Sequence, residues 1–503
     1  MQAVARRFDY LFRSTKGLVL VAIALIALVT AVWGTISGPM VEWGIRDVTV
    51  RLLGMDLDPA EREGRIIMLY HTIAQAVIAI EVYLMTASIP MKRHQQVTIN
   101  GTVTAGYMIS MFFGLGFAYF GHNWTFHGLF LFGQSLVYFS GLLLAVALWP
   151  WKKDYHITDK DYSHWGKIDL ERVAFFVMAV ATLGSALFGA VTGSYWGNGH
   201  ETFLAEDLIR EPFKTPLQLS IIGHLHIMLT LVAIALALLI GRWFDFKGIL
   251  HKISMPLMIL GTIVITLGVW AVVPFEPIAH TIIYGGSTLV LLSALMLVIF
   301  GFRRLIRDRL AEQGRDRAGF FRSLGALLHD PLRFGSLWQM VFMNFTVSGI
   351  GIFVAVKLDE IFRVWPARDE RVILTGHWHV LSGIIATIIL LYYADLAGLK
   401  GRVRRWFGWA VILFSDLAFG AVTVFEMKRL FVSEAAQQPL VNWTMALVDV
   451  GLAVVLVALA GLMIWRLVDL FEKGGRWAEE YAETAFAGDE GGETQMQAQE
   501  AGR

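Results

Sequence analysis

Twelve long apolar runs dominate this chain and leave it few ways to fold. They cover roughly residues 17–36, 66–88, 98–120, 127–149, 171–193, 216–240, 253–273, 279–301, 335–357, 372–396, 405–425 and 441–467. Each lies near the ~20 residues that take an α-helix across a bilayer. Of the 503 residues, 56% are hydrophobic and 17% charged, the composition of a polytopic membrane protein. The fold class read from the chain is all-α, a bundle of about twelve transmembrane helices. Residues 1–16 read as a cytoplasmic N-terminus and 17–470 as the membrane domain. Residues 474–503, rich in Glu, Ala, Gly and Gln, read as a disordered cytoplasmic tail. The first run follows Arg6, Arg7, Arg13 and Lys16 and has no small-residue cleavage site, so it reads as an uncleaved first span.

The connecting segments set the orientation. Lys92 and Arg93, Lys152 and Lys153, Arg242 with Lys247 and Lys252, Arg303 through Arg322, and Lys400 through Arg405 fall in alternate connections. The segments between them (37–65, 194–215, 274–278 and 358–371) carry fewer or balanced charges. The positive-inside rule then places both termini in the cytoplasm of an inner membrane. The net charge of +1 says nothing about nucleic acid, the chain shows no basic module that would read it, and no nucleic-acid partner is expected. With no cysteine, the chain can form no disulfide, thiolate metal site, iron–sulfur cluster or covalent CxxCH heme attachment.

Fourteen histidines fall on this map in two groups. His94, His156, His164, His251 and His329 lie in cytoplasmic segments, where solvation suffices. The others gather toward the outer side: His71 in the second span, His122 and His127 about the turn before the fourth, His200 in a loop, His224 and His226 in the sixth span, His280 in the eighth, and His377 and His379 in the tenth. His377 and His379 stand two residues apart in Thr375-Gly376-His377-Trp378-His379-Val380. On a helix they point about 200° apart and address different neighbours. Histidine in lipid needs a partner. A layer of imidazoles at one depth is what b-type hemes held between helices require.

These residues resemble the catalytic subunit of the heme–copper oxidase superfamily, closest in look to the nitric oxide reductase large subunit. The segment Leu69-Tyr70-His71-Thr72 looks like the start of that family's second span, and His377-Trp378-His379 looks like the H-x-H of its tenth. The resemblance implies two b-type hemes: a low-spin heme on His71 and His379, and a second heme on His377. Gly223-His224-Leu225-His226-Ile227-Met228 looks like the start of the sixth span, with His224 at the position of a non-heme iron or copper ligand. Four residues on, Met228 stands where the family has Tyr or Glu. Gly268-Val269-Trp270-Ala271 stands where it has a His-His pair.

Two repairs suit these departures. A rewired metal site would draw on His224, His226 and His280, with Glu276 as a catalytic or orienting carboxylate. Alternatively the non-heme metal is gone, His224 or His226 is the second heme's sixth ligand, and His122 or His127 serves a third heme. Glu276 has a competing role as an N-terminal helix cap. Glu81 lies near the midplane of the second span, where a carboxylate marks a functional candidate, and Asp416 and Asp449 are similar. Trp124, Phe126, Phe130 and Phe132 are candidates for walling a heme or for an interfacial belt.

Three functions fit. The first is a heme-dependent oxidoreductase of a respiratory chain that takes electrons from the outer side and reduces NO or O2. The second is a non-catalytic di-heme electron-transfer subunit. The third is a cofactor-free transporter, which would place its polar groups at the midplane instead. The first two need an electron donor on another chain, a cytochrome c-like subunit or quinol, within a hetero-oligomeric complex.

Overall fold

Runs of apolar residues near twenty long become helices because a helix pairs its own backbone groups where no water can. The computed structural model describes residues 2–37, 41, 43–57, 62–121, 123–193, 215–315 and 317–481. Among them are the helices α1 (Gln2–Arg13), α2 (Thr15–Ser37), α3 (Ile45–Leu53), α4 (Arg62–Ser88), α5 (Arg93–Tyr119), α6 (Trp124–Ala147), α7 (Leu170–Val191), α8 (Pro216–Trp243) and α9 (Ile249–Trp270). After these come α10 (Val272–Glu312), α11 (Phe320–Leu327), α12 (Pro331–Phe342), α13 (Ile350–Val356), α14 (Ala367–Leu396), α15 (Gly401–Glu426), α16 (Lys428–Phe431) and α17 (Gln437–Phe471). Twelve spans in the described residues are long and apolar enough to cross a membrane, one for each run in the sequence. The protein is an all-α, multi-pass membrane protein.

Several boundaries depart from the sequence reading. The connection at 274–278 is no loop: α10 begins at Val272 and absorbs the turn as a kink, with Phe275 at φ −144° and ψ 51° between Pro274 and Pro277. The basic stretch from Arg303 is a helical extension to Glu312. The ninth span runs as α12, a wide π turn over Met343–Gly349, and then α13. A π turn inserts residues into the helical register and re-aims the helix beyond it.

The chain divides into two compact units. One comprises Met1–Tyr155, Thr182–Leu204 and Trp465–Arg503; the other comprises His156–Ala181 and Ala205–Ile464. In the first, α2 packs on α4, α4 on α5 and α5 on α6. Hydroxyls and amides bridge α4 to α5: Gln75 with Ser110, Tyr83 Oη with Thr104 Oγ1 at 2.6 Å, and Thr86 Oγ1 donating to Asn100 Oδ1 at 2.8 Å. The start of the expected disordered tail belongs to this unit as ordered structure. Residues 476–481 are helical, and Glu480 accepts hydrogen bonds from Tyr10 Oη at 2.6 Å and Arg466 Nη2 at 2.8 Å. The buried Arg466 guanidinium pairs with Glu480 and Asp469, and the Glu480 pairing holds the segment beyond residue 474 against this unit. Residues 482–503 lie outside the described residues.

In the second unit, α9 packs on α10, and α8 lies against α9, α10 and α14. Helix α12 meets α14 and α15, which pack on each other. Asp416 accepts hydrogen bonds from Trp338 Nε1 at 2.6 Å and Gln339 Nε2 at 2.7 Å. That span carboxylate therefore ties α15 to α12.

Close helix approach in lipid depends on small residues, because burial of apolar side chains drives nothing there. A Cβ on Gly133 would come within 2.4 Å of the Ser110 backbone nitrogen, and one on Gly106 within 2.7 Å of the Val137 nitrogen. The α5–α6 contact is backbone on backbone. Gly133→Leu is expected to separate the two helices and to lower the thermal midpoint of the detergent-solubilised protein sharply, whereas exposed Gly101→Leu on α5 leaves it within error.

Candidate functional site

The site grows from one helical register. His226 stands ten residues after the start of α8, and His377 ten after the start of α14. At 1.5 Å per residue both are about 15 Å along their helices. The two rings meet, with centroids 5.7 Å apart.

Four histidines share a local geometry. Nδ1 of His71 lies 2.8 Å from the Ile67 carbonyl, and that of His226 lies 2.8 Å from the Ile222 carbonyl. His377 makes the same contact with Ile373 at 3.0 Å, and His379 with Thr375 at 2.7 Å. A carbonyl oxygen only accepts, so Nδ1 carries the proton in each ring. Each ring is thereby oriented by the helix that bears it, and at His226, where Nε2 accepts a hydrogen bond, the imidazole is the neutral tautomer with its lone pair on Nε2. This is how a backbone carbonyl behind the ring prepares histidine for a metal.

The four differ in what Nε2 meets. His226 Nε2 accepts a hydrogen bond from the Trp378 indole nitrogen at 2.9 Å, and the rings stand edge to face at 4.9 Å. Both nitrogens of His226 are spent. His377 is 6% exposed, and its Nε2 makes no hydrogen bond with the described residues. It faces Gly351, the second residue of α13, where an added Cβ would come to 4.0 Å from Nε2. The π turn before α13 sets the register that brings this glycine toward the imidazole. His379 points away from the packed side of α14 and is exposed.

Taken singly, His71, His377 and His379 are each oriented by a backbone carbonyl as an axial imidazole ligand would be. The set expected for a non-heme metal is not assembled. Among the described residues, no three His, Asp or Glu side chains are placed to hold one ion. His226 has given its lone pair to Trp378, and His224 points about 200° from it around α8. Glu276, expected beside His280, instead faces Arg363, with Oε1 3.4 Å from Nη2. His280 stacks loosely on Tyr284 at 6.5 Å. Gly268, where the resemblance expected a His-His pair, lies against Ile282 and Ile283 of α10.

Of the remaining candidates, His127 stacks on Phe117 at 5.0 Å and on Trp124 at 5.9 Å, which gives it an aromatic packing role. Phe130 is buried over Gly114, while Trp124 and Phe132 are exposed. Glu81 is buried in α4, and its Oε1 has no hydrogen-bond partner among the described residues. His122 and His200 lie outside the described residues.

Two participants escaped the sequence reading. Trp378, to which the sequence reading gave no role, donates its indole N–H to His226. Glu426 looked like the first residue beyond the eleventh span. It is 1% exposed, and both carboxylate oxygens lack hydrogen-bond partners among the described residues. It lies directly on Gly376, next to His377, where an added Cβ would come within 2.0 Å of Oε1. Seven residues along each helix, Phe419 fills the space over Gly383 in the same way. The matched spacing, Gly376 and Gly383 against Glu426 and Phe419, was the available signal.

Comparison with protein-family models, with curated proteins and with solved structures finds no match.

The Gly376 contact is testable. Gly376→Ala overpacks the seam and is expected to cost about 1–3 kcal/mol in unfolding free energy. Adding Glu426→Ala returns most of that loss, because it removes the atoms the new methyl would strike. Equal destabilisation in single and double variants would disprove the contact. Trp378→Phe leaves His226 Nε2 without its donor and is expected to cost about 1 kcal/mol, measured by the same thermal unfolding.

Proposed function

We propose that this chain is a b-heme-binding oxidoreductase subunit of an inner-membrane respiratory complex. The axial ligands are His71 and His379 for a low-spin heme and His377 for a second heme. The supporting observation is the geometry these three residues share: each ring donates its Nδ1 proton to the carbonyl four residues earlier, which fixes the ring's orientation on its helix. Bound heme would supply one-electron chemistry. The chain's own part is to orient the imidazoles, exclude water with apolar helices and hold His226 out of the ligand set. Electrons come from a separate cytochrome c-like donor or from quinol on the outer side, and both termini are cytoplasmic.

Within this reading, electron transfer is better supported than reduction of NO or O2. Gas reduction in the resembled family uses a non-heme metal beside the high-spin heme. Here the residues nominated for that metal, His224, His226 and His280, form no three-ligand group, and the His226 lone pair is engaged by Trp378.

The deciding experiment is a heme and metal count on the purified protein, with reduced-minus-oxidised and CO-difference spectra. Low-spin, CO-inert b hemes without further metal are expected. A CO-reactive heme with about one non-heme iron or copper per chain would move the conclusion to a gas reductase. His71→Ala or His379→Ala is expected to remove one low-spin heme, and His377→Ala the other heme. Full heme content in all three variants would refute the ligand assignment.

A further inference from the structure

The last span carries a charge on the wrong side for a helix that meets only lipid. Span Glu434–Phe471 is the least covered of the twelve, with 11% of its most apolar window buried. Its covered side is narrow. Thr444, Gly451 and Leu462 are buried, and Gly451 sits against the Phe414 carbonyl and Ala418 of α15. Asp449 points elsewhere. It is exposed and lies eight residues into the apolar run 441–467, about 12 Å by helical rise. A carboxylate at that depth is costly against hydrocarbon, and such residues face a protein interior or a partner.

The residues around it suit a partner helix. Asn442, Ala446, Asp449, Ala453, Leu456 and Ala460 are all exposed, and their spacing of four, three, four, three, four makes one continuous left-handed seam. Alanine at every seventh position lets a second backbone approach closely. Two identical seams in the same orientation would set Asp449 against Asp449. The charge therefore selects a different partner.

We infer that this face of α17 docks a membrane-spanning helix of another protein that carries a lysine, arginine or histidine at the depth of Asp449. The carboxylate pairs with that cation, and the alanines set the distance between the helices. This inference needs only the membrane-spanning fold and is independent of heme binding.

The test places a photo-crosslinking amino acid at Ala453 of the full chain in its native membranes, with and without Asp449→Leu. Asp449 touches none of the packed face, so the variant is expected to insert and melt like the parent. Support is an adduct to one other protein through a membrane segment bearing a basic residue. The adduct should fall roughly tenfold in Asp449→Leu. It should return when Asp449→Lys is combined with an acidic residue in place of the partner's cation. An adduct to a second copy of this chain, adducts to lipid alone, or a yield indifferent to Asp449→Leu would each overturn the inference.

Discussion

Imidazole has two nitrogens, and inside a membrane helix the backbone reaches only one of them. The carbonyl four residues earlier lies below the ring, where helical side chains lean. In His71, His226, His377 and His379 that carbonyl accepts the Nδ1 proton. One local interaction thus places the Nδ1 proton and fixes the ring orientation in all four. It remains for the fold to decide what Nε2 meets. At His226 it meets an indole N–H and the ring is satisfied as protein. At His377 it faces Gly351, just beyond a π turn, with room for a Cβ at 4.0 Å. The same residue type, with the same backbone bond, is a packing element in one place and a candidate ligand in the other.

Helix α14 can hold this chemistry because its opposite flank is made of glycine. Gly376 and Gly383 let α15 come close, and the space they leave is filled by Glu426 and Phe419. The seam places the carboxylate of Glu426, with no hydrogen-bond partner among the described residues, against Gly376, the residue before His377. Removing a carboxylate from water without a hydrogen bond is costly, so close packing of α14 on α15 maintains a strained polar group beside the candidate site.

The acidic groups within the spans separate by what surrounds them. Asp416 is satisfied by Trp338 and Gln339 and works as a tie between helices. Glu81 and Glu426 are buried with unpartnered oxygens. Asp449 is turned outward on the most exposed span. All but Glu426 looked alike in the sequence, as single carboxylates in apolar runs.

Much of the architecture was legible in advance. Twelve apolar runs became twelve spans, because hydropathy and length act locally and a helix needs no distant residue to satisfy its backbone. The opposed directions of His377 and His379 came from helical geometry alone, as did their presence in one span. The kink at Phe275, the π turn in the ninth span and the order of residues 474–481 were not legible. Each depends on what a neighbouring helix or a buried guanidinium requires. Nor could the sequence show that Trp378 would satisfy His226, that Glu276 would face Arg363 or that Glu426 would lie on Gly376. Those pairings join residues that are 152, 87 and 50 positions apart. Sequence alone determined which segments enter the membrane and which way their histidines face around each helix, since both depend on one chain's local periodicity. Tertiary structure decided which lone pairs and carboxylates are satisfied, because that depends on side chains from other helices arriving within hydrogen-bonding distance.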